Sequence, residues 1–128
     1  MPMMTRDQAY NPRSVARILS VSYDPALLCT RELLLQSRGY EVVSAEGFAE
    51  AIELCEGHFD LIVMGHSIPQ KDKRAIISEL RKQSCTAPVV SLLRGGESRI
   101  PEATHGVDPG NPREMLEAIE DILRTRKK

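Results

Sequence analysis

Residues 60–69 read DLIVMGHSIP, and the architecture follows from the change of character halfway along them. Leu61, Ile62, Val63 and Met64 form a short, unbroken apolar run. Such a run suits a strand buried on both faces, as at the centre of a parallel sheet. Gly65, His66, Ser67, Ile68 and Pro69 then form a loop at the carboxyl end of that strand. In open α/β sheets this is the end where ligands bind and chemistry is done. The loop offers Gly, His and Ser there, and no carboxylate.

Working outward, elements of two kinds alternate. Residues 15–21, VARILSV, predict a first strand. It runs into Asp24-Pro25, an N-cap followed by the residue best suited to the first helical position. Leu27, Leu28, Leu34 and Leu35 give the helix an apolar stripe, and Gly39 stops it. Residues 40–44 predict a second strand. Residues 47–57 predict a second helix with Phe48, Ile52 and Cys55 on one face. After the central strand, residues 71–83 predict a third helix carrying Ile76, Ile77 and Leu80, and residues 88–93 a fourth strand. The rhythm breaks over residues 94–109, which contain Gly95, Gly96, Pro101, Gly106 and Pro109. A loop with at most a turn of helix is expected there, then a short fifth strand over 104–107. Asn111 caps and Pro112 begins a last helix, whose buried face is Met115, Leu116, Ile119, Ile122 and Leu123.

The chain has 128 residues, 41% hydrophobic and 27% charged, which is ordinary composition for one globular domain. A net charge of −1 gives no basic field for nucleic acid. No apolar run approaches the ~18 residues of a membrane span, and the amino terminus lacks the apolar middle of a secretory signal. The reading is a soluble, cytoplasmic protein with no nucleic-acid or membrane partner. It divides into a disordered tail over 1–14, a folded domain over 15–124 and a basic tail over 125–128. Cys29, Cys55 and Cys85 have no metal-binding or redox spacing and read as small apolar residues on or near helices. Gly95-Gly96 has no phosphate-loop context. His58 and His105 read as loop residues.

In this order and spacing the chain resembles the receiver domain of bacterial two-component response regulators. The resemblance is carried by ARILSVSYDPALL (16–28), RGYEVVSAEGFAEAIEL (38–54), DLIVMGHSIP (60–69), PVVSLL (88–93) and VDPGNPREMLEAI (107–119). It implies a flavodoxin-like (βα)5 doubly wound parallel sheet of order 2-1-3-4-5, here with a shortened or missing fourth helix.

The resemblance also implies a site that this sequence does not supply. The family's metal-holding acidic pair falls at Ser22 and Tyr23, with Asp24 just beyond. Its phosphoacceptor aspartate falls at Gly65, its Ser or Thr after the fourth strand at Leu93, and its Lys at Asp108. Aspartyl phosphorylation needs a carboxylate nucleophile, and Mg2+ wants carboxylate oxygens. The expectation is a non-enzymatic, stand-alone pseudo-receiver without Mg2+ that acts through protein–protein contact. Its partner would be a histidine kinase or other regulator, or a second copy joined through the last helix and fifth strand. Tyr23 and Leu93 are expected to fill the old acidic pocket with apolar bulk. Asp24 is either an N-cap or a surviving metal ligand. His66 is a locally bonded loop residue or a titratable group. Asp24, His66 and Asp108 converge on one sheet edge, which motivates the alternative of a ligand- or metal-sensing domain.

Overall fold

A computed structural model of the chain describes residues 15–93 and 97–126. The expected tail over 1–14 and the pair Gly95-Gly96 lie outside the described residues. Five strands form one parallel sheet: β1 (Arg17–Ser22), β2 (Glu41–Glu46), β3 (Leu61–Met64), β4 (Val89–Leu92) and β5 (His105–Val107). Their order is β2-β1-β3-β4-β5, as the resemblance implies. Four helices accompany them: α1 (Pro25–Ser37), α2 (Phe48–Leu54), α3 (Gln70–Lys82) and α4 (Pro112–Arg126). No helix among the described residues is long and apolar enough to cross a membrane.

β3 is the centre of the sheet, with Leu19 beside Ile62 on one flank and Val90 beside Val63 on the other. Successive side chains of a strand point to opposite faces, so an all-apolar strand feeds two cores. Ile62 and Met64 join Leu19 and Val21, the α3 residues Ile76, Ile77 and Leu80, and the α2 residue Ala51. Leu61 and Val63 join Ile18, Leu35 of α1, and Met115, Leu116 and Ile119 of α4.

Local chemistry sets the helix ends. The Asp24 carboxylate accepts from the backbone N–H groups of Ala26 (3.0 Å) and Leu27 (3.3 Å), satisfying two orphan donors of α1. Gly39, at φ +89°, turns the chain out of that helix in the left-handed region that glycine tolerates. The Asn111 Oδ1 accepts from Glu114 N at 3.1 Å and caps α4.

Three details differ from expectation. α2 ends at Leu54, and Phe48 at its start is 41% exposed; Cys55 is buried as expected, Ile52 packs against the core, and Ala51 takes the place expected of Phe48. α4 continues through Thr125 and Arg126, two residues into the stretch read as a basic tail. The Thr125 hydroxyl donates to the Asp121 carbonyl one turn back, which belongs to a continuing helix.

The break between β4 and β5 is as drastic as the sequence suggests. No helix forms among its described residues, 97–104. The core that a helix would cover is closed by two side chains, Ile100 and Ala103, which join the α2–α3 face of the sheet. The backbone is pinned where Thr104 N donates to Val89 O (2.8 Å) and Val89 N to Thr104 Oγ1 (3.0 Å). The Arg99 guanidinium donates to the Ala103 carbonyl. Ile100→Ala should therefore cost about 2–3 kcal/mol, as for a core position. Urea unfolding checks this, and a cost below about 0.5 kcal/mol, the scale of a surface change, would contradict it.

Candidate functional site

The loops at the carboxyl ends of β1, β3, β4 and β5 meet at one edge of the sheet, and each predicted site residue can be placed there. Ser22 is fully buried at the end of β1. Its hydroxyl accepts from Asp24 N at 3.0 Å and lies 3.4 Å from Ser67 Oγ. Tyr23 donates its backbone N–H to Ser67 Oγ (3.1 Å) and its phenol to Asp72 Oδ2 on α3 (2.8 Å). The β1–α1 loop is thus tied across the sheet edge to the β3–α3 loop and to α3. Burial, then the hydrogen bond and charge of Asp72, push the Tyr23 phenol above its ordinary value of 10.

Asp24 caps α1 as described, so the N-cap reading accounts for its carboxylate. Asp108 is exposed and accepts from Gly110 N at 2.8 Å, turning the chain into α4. His66 is half-buried in the β3–α3 loop. Among the described residues no group of three His, Cys, Asp or Glu side chains is placed to hold a metal ion. Asp24, His66 and Asp108 share the edge without forming a ligand set. Leu93 departs from expectation too. Its N–H donates to Val107 O at 2.8 Å, and its Cδ1 lies 2.5 Å from where a Cβ at Gly106 would be. It leans over β5, which the absent side chain of Gly106 permits.

The pocket holds something the sequence reading missed. Gly65 is buried, and a Cβ built there would meet Arg31 Nη1 at 2.9 Å, Ser22 Oγ at 3.2 Å and the Val21 carbonyl at 3.3 Å. The guanidinium of Arg31, from the middle of α1, therefore lies where a side chain at 65 would begin. Arg31 is only 6% exposed, and its Nη1 has no hydrogen-bond partner. Burial pulls its pKa below the ordinary guanidinium value, against the opposing charge of Asp24. A second cation stands nearby. Lys73 of α3 is 0% exposed, and its Nζ donates to Ser91 Oγ (2.8 Å) and the Leu92 carbonyl (3.0 Å) at the end of β4.

The missed residues carried a signal. Leu28, Arg31 and Leu35 share one helical stripe at i, i+3, i+7, and Lys73, Ile76, Ile77 and Leu80 share another. A long basic residue on an apolar stripe runs its methylene stem through the core and delivers its charge at the far end. Ser67, Asp72 and Ser91 carried no comparable pattern.

Two cavities border these elements. One of about 110 Å3 is lined by Arg31, Thr30, Asp108, Asn111 and apolar residues of α1 and α4. A larger one, about 560 Å3, lies at the amino ends of β4 and β5, lined by Arg81, Thr104, His105 and Asp121 among others. The predicted site residues do not line it. All three cysteines are free. Cys29 is exposed, Cys85 is half-buried, and burial pushes the Cys55 thiol up to about 11.

Known proteins are similar to this chain in sequence and fold. The transcriptional regulatory protein CpxR of Escherichia coli (strain K12) is 29% identical over 114 residues, which is 84% of this chain and 49% of that protein. The chain thus spans about half the length of the curated relatives it matches. The receiver domain of the hybrid histidine kinase CckA is 29% identical, with a TM-score of 0.69 over 84% of this chain and 98% of that one. The response regulator TrrA of Thermotoga maritima, solved in complex with Mg(2+)-BeF, is 25% identical, with a TM-score of 0.72 over 84% and 99%. The chain carries a receiver domain of the response-regulator type. No protein-family model matches it.

The Tyr23 phenol gives this receiver a testable pH dependence. An acid whose pKa is raised on folding contributes stability that is complete below its unfolded value and lost as pH rises through its folded one. Tyr23→Phe should be less stable than the wild type by about 1 kcal/mol at pH 7, where the bond to Asp72 is made. The gap should narrow at pH above about 10. Urea unfolding at both pH values measures it, and a gap that does not change would contradict the assignment.

Proposed function

We propose that this receiver works as an atypical module of a two-component pathway, signalling by protein–protein contact without accepting a phosphoryl group. One observation carries the reading. At position 65, where the likeness to receivers puts the acceptor aspartate, the chain has a buried glycine with a guanidinium against it. A glycine has no nucleophile, and a cation in its side-chain room opposes a metal ion.

The surrounding residues support the same reading. A divalent ion at this edge would need carboxylate oxygens. The nearby carboxylates are in use: Asp24 caps α1, Asp72 accepts from Tyr23, and Asp108 accepts from Gly110. These residues do not fit Mg2+, and we derive no step through it. The position expected to hold a Lys bears the opposite charge in Asp108, which would repel a phosphoryl group. Leu93 offers no hydroxyl. Nothing in the arrangement supplies an alternative nucleophile with an activating base, so the module is read as non-enzymatic. Its partner is a histidine kinase or another regulator, or a second copy through α4 and β5.

The cavity of about 110 Å3 beside Arg31 and Asp108 favours one second reading, a small-ligand sensor at the same edge. Thermal stabilisation by inorganic phosphate or a divalent metal would favour it over the first.

Amide NMR with Mg2+ and beryllofluoride, a mimic of aspartyl phosphate, tests the main reading. The amides of Tyr23, Gly65 and Asp108 should not move. A concerted shift of those amides, spreading into α4, would overturn it.

A further inference from the structure

We propose that Arg31 is a resident plug of the acceptor notch, a guanidinium delivered by α1 that fills the room at position 65. The inference rests on the reading of position 65 given above and adds a regulatory consequence. The site has been rebuilt around a fixed internal cation, so the module has no vacant acceptor notch for a signal to fill.

The geometry has three parts. Arg31 Nη1 lies 2.9 Å from the Cβ position of residue 65, closer than a real Cβ tolerates. That nitrogen is the tip of a flexible side chain, whereas Ser22 Oγ and the Val21 carbonyl on the other sides are held by β1. The notch is therefore closed by a group that can shift by a few tenths of an ångström. Secondly, Nη1 is buried and unpartnered. A buried cationic donor without an acceptor is costly, and an oxyanion placed beside it would be bound in a strong, charge-assisted hydrogen bond. Thirdly, the β1–α1 loop that leads into α1 is itself strapped to α3 through Tyr23 and Asp72. Helix, loop and notch are fixed together.

A specific behaviour follows. A carboxylate restored at position 65 does not recover an acceptor. Arg31 captures it as a buried ion pair. Other charged groups border the notch: Asp24 in the β1–α1 loop, His66 beside Gly65, Asp72 and Lys73 on α3, and Asp108 in the β5–α4 loop. They are common to both backgrounds, so the part of the G65D–G65A difference that R31Q removes is the Arg31 contribution.

The experiment compares melting temperatures of G65A and G65D, each with Arg31 and with R31Q, from pH 7 to pH 3. G65A reports crowding alone. With Arg31 present, G65D should melt at least about 4 °C above G65A at pH 7. A paired carboxylate has a lowered folded pKa. Its contribution is present above the unfolded value of about 3.9 and lost as pH falls through the folded one, so the difference should close in acid. In the R31Q background it should be absent. A G65D no more stable than G65A at any pH, or a difference that survives R31Q, would overturn the proposal.

If G65D fails to fold, R31M in the otherwise wild-type chain decides. It should retain the wild-type melting temperature or exceed it, and it should move the amides of Val21, Ser22 and Gly65. Unmoved amides, or a large loss of stability, would overturn the plug. A wild-type response to beryllofluoride would overturn the functional reading itself. Lack of coupling between residues 31 and 65 in an unresponsive protein overturns only this inference.

Discussion

β3 is buried on both faces, and the other elements are arranged to cover it. Leu61 and Val63 demand α1 and α4 on one side; Ile62 and Met64 demand α2 and α3 on the other. Burying one such aliphatic side chain contributes about 1.5–3 kcal/mol, so four in succession tolerate little exposure. The demand outlasts the loss of a helix. Where the chain between β4 and β5 forms none among its described residues, Ile100 and Ala103 close the gap. The same burial continues one residue past the strand, to Gly65, where the absence of a side chain becomes a structural fact with a neighbour attached to it.

On the reading proposed above, that neighbour explains how a receiver-like scaffold can stand without the carboxylates the resemblance puts at this edge. Removing carboxylates from a buried sheet edge leaves polar backbone and unfilled space, both costly. Here the space is taken by Arg31 from one side of the sheet, and the end of β4 is bonded by Lys73 from the other. The sheet edge thus has two buried cations, and its carboxylates are turned to capping, bracing and turn-making. TrrA, a response regulator of similar fold, was solved in complex with Mg(2+)-BeF; at the corresponding edge of this chain stand Arg31, Lys73 and the bonded carboxylates.

Most of the fold was legible in the sequence, for physical reasons that can be named. The apolar run 61–64, the Asp24-Pro25 and Asn111-Pro112 starts and the Gly39 stop are short-range signals, and they placed the central strand and the helices; the strand order followed from the resemblance to receiver domains. Errors fell where tertiary contacts decide. Phe48 looked like a core residue from its spacing, as Cys55 did, but only Cys55 is buried, and Ala51 takes the other place. Leu93 looked like pocket filling, but the bare Gly106 opposite drew it over β5. The site was half legible. Missing carboxylates can be read by alignment to a pattern; the group that replaces them arrives from a different element. Arg31 and Lys73 were visible as basic residues on apolar stripes, though which strand end each reaches depends on how the helices lie across the sheet.

The central claim is that the chain accepts no phosphoryl group, and the most direct measurement is its intact mass after incubation with acetyl phosphate and Mg2+, beside a phosphorylatable receiver as control. The account predicts that the control gains the mass of one phosphoryl group and this chain gains none. A phosphoryl adduct on this chain, at any residue, labile in base as an acyl phosphate is, would contradict it.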